Sequence, residues 1–404
     1  MKAVVFHGLG DIRLDEVPDP ALSSELDAIV RLTASAICGT DLHFIRGTMA
    51  GVEPGTILGH EGVGIVEALG EGVRNFKVGD RVVIPSTVAC GYCSYCRSGY
   101  YAQCDNANPH GPGTAFYGGP KEAGGLNGMQ AEKVRVPFAH VNLVKLPDTV
   151  SDDEAILISD IFPTGYFGAD MADIKPGHTV AVLGCGPVGQ FAIASARMLG
   201  AGRVIAVDQH EDRLTMAREQ GAETVNFATE DPVETVKRLT GGIGVDAVID
   251  AVGVDAEHAH GGPAAEHPAP GAATDASPDA RSDATSWKAG DGPMQALAWA
   301  VEMVAKAGTL SIIGVYPPTD NLFPIGAAMN KNLTVRMGNC NHRKYIPMLV
   351  ERVRSGEVVP TRILTQREPL SDVLAAYEAF DQRRPGWIKV ELEPGGHGGG
   401  KSDG

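Results

Sequence analysis

The segment CGYCSYCRSGYYAQC brings Cys90, Cys93, Cys96 and Cys104 together in residues 90–104. Two-residue gaps let three thiolates wrap one ion, and a fourth closes a tetrahedron. Four thiolates on Zn2+ make a closed structural site with no open position for a substrate. An iron–sulfur cluster is the alternative occupant, and chance cysteines in a turn are the bland reading. Arg97 is the only basic residue inside the cluster, which argues against a zinc ribbon that binds nucleic acid.

A second donor set lies in ICGTDLHFIRG and LGHEGVG. Cys38 and His60 are a soft and a borderline metal ligand. Alone, they read equally as a buried cysteine and a satisfied histidine. Glu61 beside His60 adds a carboxylate, and the flanking glycines let the backbone turn sharply. Thr40 and His43 supply a hydroxyl and an imidazole close to Cys38, a pair able to carry a proton out of a site closed to water. Asp160, in SDIFPTGYFGA, stands at the head of an apolar helical run. By itself it reads as a helix cap or as a further ligand.

A third pattern is GCGPVGQFAIASA, which sets Gly184, Gly186 and Gly189 in G-x-G-x-x-G register, with Pro187 and Val188 between the last two. It follows the apolar run TVAVL and opens a helix, the context in which such a loop brings a pyrophosphate to a helix N-terminus. The next strand, RVIAV, ends at Asp208, 24 residues after Gly184. A carboxylate there accepts from the adenosine ribose hydroxyls and repels a 2′-phosphate, which favours NAD over NADP. Arg213 stands close enough in sequence to soften that preference. An ordinary turn capped by Asp208 is the bland alternative.

These residues need elements to hold them. The first 150 residues alternate short apolar runs (AIVRLTA, EGVGIVEAL, DRVVIP, AEKVRVP) with Gly-, Asp- and Pro-containing turns, which predicts a β-rich domain, a small barrel. From about residue 151 strands alternate with helices, and VDAVIDAVG and GTLSIIGV add two buried strands. That pattern predicts a doubly wound parallel sheet. Residues 255–293 are rich in Ala, Pro, Gly, Asp and His without periodicity and read as a long loop or insertion, its His258, His260 and His267 as solvated loop histidines ahead of a weak metal site. PMQALAWAVEMVAKAG then predicts a helix ending at Gly308, and GGHGGGKSDG a flexible tail.

With 404 residues, 43% of them hydrophobic and 21% charged, the chain is globular in composition and long enough for two or three domains. A formal net charge of −16 argues against nucleic-acid or anionic-membrane partners. The N-terminal MKAVVFHGLGDIRL is a strand pattern rather than a signal peptide, and no run reaches 18 apolar residues, so a cytoplasmic location and no membrane span are expected. Seven cysteines, four of them crowded together, favour metal over disulfides in such a chain. Cys185 and Cys340 carry no assigned role.

In combination, C-G-T-D-L-H, G-H-E-G-V-G, the four-cysteine lobe, the glycine loop with its downstream Asp, and T-G-Y resemble the zinc-dependent medium-chain alcohol dehydrogenases over about residues 1–394, apart from the 255–293 insertion. The resemblance implies a GroES-like β-barrel catalytic domain (residues 1–156, with a structural-zinc lobe at 86–106). It implies a Rossmann domain at 157–316 carrying the nicotinamide cofactor, a return to the catalytic domain at 317–394, a tail at 395–404, and an active site in the cleft between the domains. Many members carry a cysteine six places before the Tyr of T-G-Y. Here that place is Asp160, as in a bacterial subgroup similar to glutathione-independent formaldehyde dehydrogenases and dismutases.

The resemblance therefore implies Cys38, His60 and Asp160 as ligands of a catalytic zinc, Glu61 as an exchanging ligand and Asp41 as the group orienting His60. It implies two Zn2+ per subunit, one catalytic and one structural at Cys90, Cys93, Cys96 and Cys104, and a homodimer or homotetramer. The expected reaction is hydride transfer from a primary or secondary alcohol to NAD, the proton leaving through Thr40 and His43. Phe44, Phe116, Tyr117 and Tyr316 are candidates for an apolar pocket wall. The alternatives are a polyol dehydrogenase, a formaldehyde dehydrogenase or dismutase whose insertion covers a tightly held NAD, and a non-catalytic zinc- and nucleotide-binding protein.

Overall fold

The Val- and Ile-rich runs at the start of the chain form short strands, because β-branched side chains pack well on a pleated face and glycine turns separate them. The structure, a computed structural model, describes residues 1–266, 286–318 and 323–395. His267, most of the insertion and all but the first residue of the tail fall outside those residues. Contacts divide the chain into two units, residues 1–45, 50–163 and 341 onward forming the first, residues 46–49 and 164–340 the second.

The chain opens with β1 (Lys2–Gly8), β2 (Asp11–Glu16), β3 (Ala28–Ile37), α1 (Gly39–Arg46), β4 (Gly62–Leu69), β5 (Arg81–Ile84) and α2 (Ser94–Arg97). There follow β6 (Lys133–Val136), α3 (Ala139–Asn142), β7 (Val144–Lys145), α4 (Asp152–Ser159) and α5 (Ile161–Met171). The second unit continues with β8 (Thr179–Leu183), α6 (Pro187–Met198), β9 (Arg203–Asp208), α7 (Glu211–Glu219), β10 (Glu223–Asn226), α8 (Pro232–Leu239) and β11 (Val245–Asp250). It ends with α9 (Gln295–Met303), β12 (Val304–Ile312), α10 (Ile325–Asn330) and β13 (Thr334–Met337). The chain then returns to the first unit with α11 (His342–Arg354), β14 (Gln366–Pro369), α12 (Val373–Asp381) and β15 (Val390–Glu393).

In the first unit a seven-stranded sheet runs β14-β15-β3-β4-β5-β7, with β6 also on β3. Its core includes Val30, Leu32, Val66, Val82, Ile84 and Tyr117, all at or near zero exposure. In the second unit six parallel strands run β10-β9-β8-β11-β12-β13. Each side of the sheet grows outward from β8 and β11, the order of a doubly wound sheet. The middle strands β8, β9 and β11 are buried along nearly their whole length, as strands covered on both faces must be, and their sequences are correspondingly continuous in Val, Ile and Ala.

Three boundaries differ from the sequence reading. The helix expected to run to Gly308 stops at Met303, because Val304 pairs with Val245 and the chain continues as β12. Ladder bonds to β11 outweigh the helix propensity of the following Ala and Lys. The second unit extends past residue 316 to Cys340, because Thr334 to Met337 pair with Thr309 to Ile312 as a sixth parallel strand. At its start, residues 157–163 belong to the first unit. There α4 buries Ala155, Ile156, Leu157 and Ile158 and packs on β3, β4, β5 and α11. Asp160 thus travels with the first unit. Among the described residues no helix is long and apolar enough to cross a membrane.

The two ends of the insertion are zipped together rather than loose. Gly292 N donates to Ala256 O at 2.9 Å, His258 N to Asp291 Oδ1 at 2.9 Å and Gly290 N to Asp255 Oδ1 at 3.3 Å. Ala256 and Ala264 join the core around β8 and β11. Asp255, itself buried, pairs with Arg46 at 2.6 Å.

Candidate active site

Strand register delivers the donors of the first unit to one place. Ser35 of β3 faces Gly62 of β4, so Cys38, just past the end of β3, and His60–Glu61, just before β4, emerge at the same end of the pair. Ser35 Oγ donates to Glu61 O at 3.1 Å and fixes that junction. On the other side of β3, Val390 of β15 faces Ile37, which brings Lys389 to the same end. Asp160 arrives from the break between α4 and α5. A Ser151–Glu154 capping box starts α4, and Asp160 ends it with φ −143° and ψ −66°.

Cys38, His60, Glu61 and Asp160 are all buried, and one ligand atom from each lies within 4.8 Å of the others. Asp160 Oδ2 is 3.4 Å from His60 Nε2 and 3.8 Å from Cys38 Sγ. Asp41 Oδ2 accepts from Cys38 N at 3.0 Å and from Gln130 Nε2 at 3.1 Å. Its Oδ1 lies 3.3 Å from His60 Nδ1, an ion-pair contact without hydrogen-bond alignment. Glu61 Oε1 meets Lys389 Nζ at 2.5 Å, both side chains fully buried, while Glu61 Oε2 is buried with no hydrogen-bond partner.

Burial and neighbouring charges move the groups of the site in opposite directions. Burial pushes the Cys38 thiol up and takes the Glu61 carboxyl to about 7 in spite of Lys389. Burial also opposes charge on His60, but Asp41, Cys38 and Asp160 outweigh it and hold its proton well above the usual range. Burial would raise Asp160, yet hydrogen bonds from His342 and His60 keep it well below the ordinary carboxylate range. A buried thiol, an imidazole, an acidic pair and an orphaned carboxylate oxygen are the chemistry of a divalent-cation pocket, and a soft–borderline–hard set of this kind suits zinc.

Thr40 and His43 stand one turn apart on α1, so they share a face. Thr40 Oγ1 is 3.9 Å from Cys38 Sγ, and His43 is buried. Phe116 stacks on Phe44 at 6.1 Å and meets the His60 ring edge-on at 6.3 Å, so of the expected wall residues Phe116 borders the donors and Phe44 packs against it. The other two have their own settings. Tyr117 is fully buried in the sheet core, and Tyr316, in the second unit, donates to Asp250 Oδ2 at 2.8 Å.

The four-cysteine lobe holds its sulfurs within 4.8 Å of one another, with Cys90–Cys96 and Cys93–Cys104 both at 4.0 Å. The edge of a tetrahedron built on 2.3 Å metal–sulfur bonds is about 3.8 Å. Backbone N–H groups of Tyr92, Cys93, Cys96 and Cys90, with Asn106 Nδ2, point at the sulfurs of Cys90, Cys93 and Cys104, while burial pushes the Cys96 and Cys104 thiols up. Although burial also opposes the Cys93 thiolate, such donors bring that thiol down to about 7. All seven cysteines are free of disulfides.

In the second unit Gly184 has φ +82°, and a Cβ on Gly189 would sit 1.8 Å from Gly184 O, so both positions require glycine. Gly186 caps α6, and Pro187 and Val188 start it. Asp208 Oδ2 accepts from Cys185 N at 2.7 Å, and its Oδ1 accepts from Gln209 N and His210 N. The carboxylate therefore braces the glycine loop. A Cβ on Gly186 would lie 3.8 Å from Arg213 Nη1, which sets the guanidinium beside the same loop. Gln209 also contacts Glu257 at the root of the insertion. His258 and His260 join no grouped metal donors among the described residues; they meet Gln295 at 2.9 Å and Asp291 at 3.2 Å.

Sequence reasoning missed three groups: Lys389, His342, which donates to Asp160 Oδ1 at 2.7 Å, and Thr87, 3.0 Å from His342 Nδ1. A lysine inside the apolar strand WIKVELE was a readable signal for the first. His342 starts α11 in the polar stretch GNCNHR, and no spacing links it to residue 160.

Comparison with known proteins adds to this geometry. Residues 24–148 match the family model of the alcohol dehydrogenase GroES-like domain, and residues 187–259 that of the zinc-binding dehydrogenases. An uncharacterized zinc-type alcohol dehydrogenase-like protein of Bacillus subtilis is 39% identical over 398 residues, covering 98% of this chain and 100% of its own length. A glutathione-independent formaldehyde dehydrogenase of Pseudomonas aeruginosa is 41% identical over 280 residues, 66% of this chain and 69% of that protein. The solved alcohol dehydrogenase of Thermus sp. ATN1 superposes with a TM-score of 0.80 at 38% identity, over 97% of this chain and 99% of that one.

Proposed function

The chain belongs to the zinc-dependent medium-chain alcohol dehydrogenase family, and from that premise we propose that it oxidises a small primary or secondary alcohol to the aldehyde or ketone with NAD as hydride acceptor. The observation that carries the reading is the buried cluster of Cys38, His60, Glu61 and Asp160 beside the Thr40–His43 face of α1. Cys38, His60 and Asp160 would hold the catalytic zinc, with Glu61 as an exchanging ligand, and Cys90, Cys93, Cys96 and Cys104 a structural one. Zinc, when bound, supplies a Lewis acid that lowers the cost of removing the alcohol proton. Thr40 takes that proton at its hydroxyl and His43 passes it on toward solvent. Phe44 and Phe116 exclude water beside the donors, and Asp41 steadies His60.

The glycine loop with Pro187, Val188 and Gly189, braced by Asp208, would seat the pyrophosphate at the start of α6, and NAD, when bound, accepts the hydride. Asp208 favours the unphosphorylated ribose, with Arg213 available to the dinucleotide phosphates. A homodimer or homotetramer in solution is part of the proposal, and light scattering reads it. Formaldehyde as substrate is a second reading. Asp160 and the likeness to the Pseudomonas enzyme favour it.

The test is a panel of alcohols and aldehydes, formaldehyde included, assayed with NAD and with NADP alongside zinc content. Two zincs per chain and NAD-linked alcohol oxidation are expected. The variant Asp160→Asn should lose the catalytic zinc and most turnover while keeping the structural zinc. Retention of two zincs and near-normal rates in that variant would remove Asp160 from the ligand set. A wild-type preference for NADP would overturn the role given to Asp208.

A further inference from the structure

Asp160 has two carboxylate oxygens, and the fold gives them different work. Oδ2 faces the donors, 3.4 Å from His60 Nε2 and 3.8 Å from Cys38 Sγ. Oδ1 is taken by His342 Nε2 at 2.7 Å. His342 is the first residue of α11, and its other ring nitrogen lies 3.0 Å from Thr87 Oγ1, in the loop after β5. All three side chains are buried. A carboxylate only accepts, so Nε2 carries the shared proton; in the neutral ring Nδ1 is then left to accept from the Thr87 hydroxyl. The His342 ring is thereby held from both sides, by Asp160 at Nε2 and by Thr87 at Nδ1.

We infer that His342, held by Thr87, is a positioning residue that makes Asp160 a one-oxygen ligand, so that the carboxylate occupies the coordination place of a single thiolate. The inference rests on the reading of Asp160 as a zinc ligand. A carboxylate free to rotate would present either oxygen, or both, to a cation, and a two-oxygen grip would fill the position a substrate needs. A hydrogen bond to the distal oxygen removes that freedom, and partners of this kind orient metal ligands elsewhere. A cysteine has no second donor atom to restrain. It follows that His342 matters only while an aspartate stands at position 160, which a general structural role for His342 would not produce.

The experiment is a double-mutant cycle on the full chain: wild type, His342→Ala, Asp160→Cys, and the two combined. The readouts are the dissociation constant of the catalytic zinc, by competition with a chromophoric chelator, and the visible d–d spectrum after cobalt(II) exchange. Retention of the four-cysteine zinc reports folding of each variant. With Asp160 present, His342→Ala should weaken the catalytic zinc by roughly 10–100-fold and shift the cobalt spectrum. In the Asp160→Cys background the same change should cost less than about threefold. His342→Gln, which keeps an N–H donor, should recover most of the affinity, and Thr87→Val should reproduce part of the loss. Equal losses in both backgrounds, or no loss with Asp160 present, would overturn the inference while leaving the zinc reading intact. A wild-type chain with only the four-cysteine zinc would overturn the zinc reading itself.

Discussion

At the residue scale, the pair Lys389–Glu61 holds two opposite charges with both side chains fully buried. Burial works against the Lys389 charge, but Glu61 and Cys38 more than offset it, and Nζ also donates to Ile37 O at 3.0 Å. Removing one member of such a pair leaves a charge in the interior without its partner. Lys389→Met should therefore lower stability by about 3–5 kcal/mol in chemical denaturation, and Lys389→Met with Glu61→Gln should regain much of it. A loss below about 1 kcal/mol in the single variant would show that the pair is not structurally required. His43 presents a different kind of test, because it holds a place on α1 beside Thr40 rather than in the donor cluster. His43→Gln should slow alcohol oxidation by roughly 10–100-fold near neutral pH, recover partly at higher pH where hydroxide takes the proton, and keep both zincs. Loss of zinc, or an equal loss at every pH, would contradict the relay.

At the element scale, β15 joins β14 to β3, and it carries a buried acid of its own. Glu391 pairs across with Ala36 and, on the other side, with Arg367 of β14. Arg367 is drawn away to Asp153, leaving its Nε 4.0 Å from Glu391 Oε2, which has no hydrogen-bond partner. Burial, followed by the charge of Asp153, pushes Glu391 up to about 8. The folded state therefore keeps a proton there that the unfolded state releases near its ordinary value of 4.5. Between those two values the native form binds more protons, so this group makes stability fall as pH rises. Glu391→Gln should match wild type near pH 4.5 and exceed it by on the order of 2–4 kcal/mol above pH 8. Parallel stability curves for the two proteins across that window would rule out the buried-acid account. The edges of the elements also show where reading by pattern fails. Met303 ends α9 because Val304 finds Val245 on β11, a partner 59 positions away that no local periodicity announces.

At the scale of the whole molecule, the chain makes two units whose sheets are built from different contact ranges. The structural lobe is almost entirely local: Cys90 to Cys104, a four-residue helix and the backbone donors between them. Its metal is expected to act through folding. Cys93→Ser should lose one zinc and lower the melting temperature by roughly 5–10 °C, taking a few degrees per kcal/mol for units of this size. Full metal content with an unchanged melting temperature would rule out the closed four-thiolate site. That locality is why the lobe was legible in the sequence, as were the glycine loop and Asp208, where a strand, a turn and a helix follow one another directly. Cys38 and His60 were legible as candidates through their glycine and carboxylate neighbours. Spacing alone left Asp160 open between a cap and a ligand. Its approach to Cys38 spans 122 residues, and its bond to His342 spans 182. A sequence determines contacts that short segments make with themselves, because backbone geometry fixes them. Contacts between distant segments depend on how β3, β4, β15, α4 and α11 pack, and only the tertiary structure decided that one end of β3 would gather Asp160, His342 and Lys389 around Cys38 and His60.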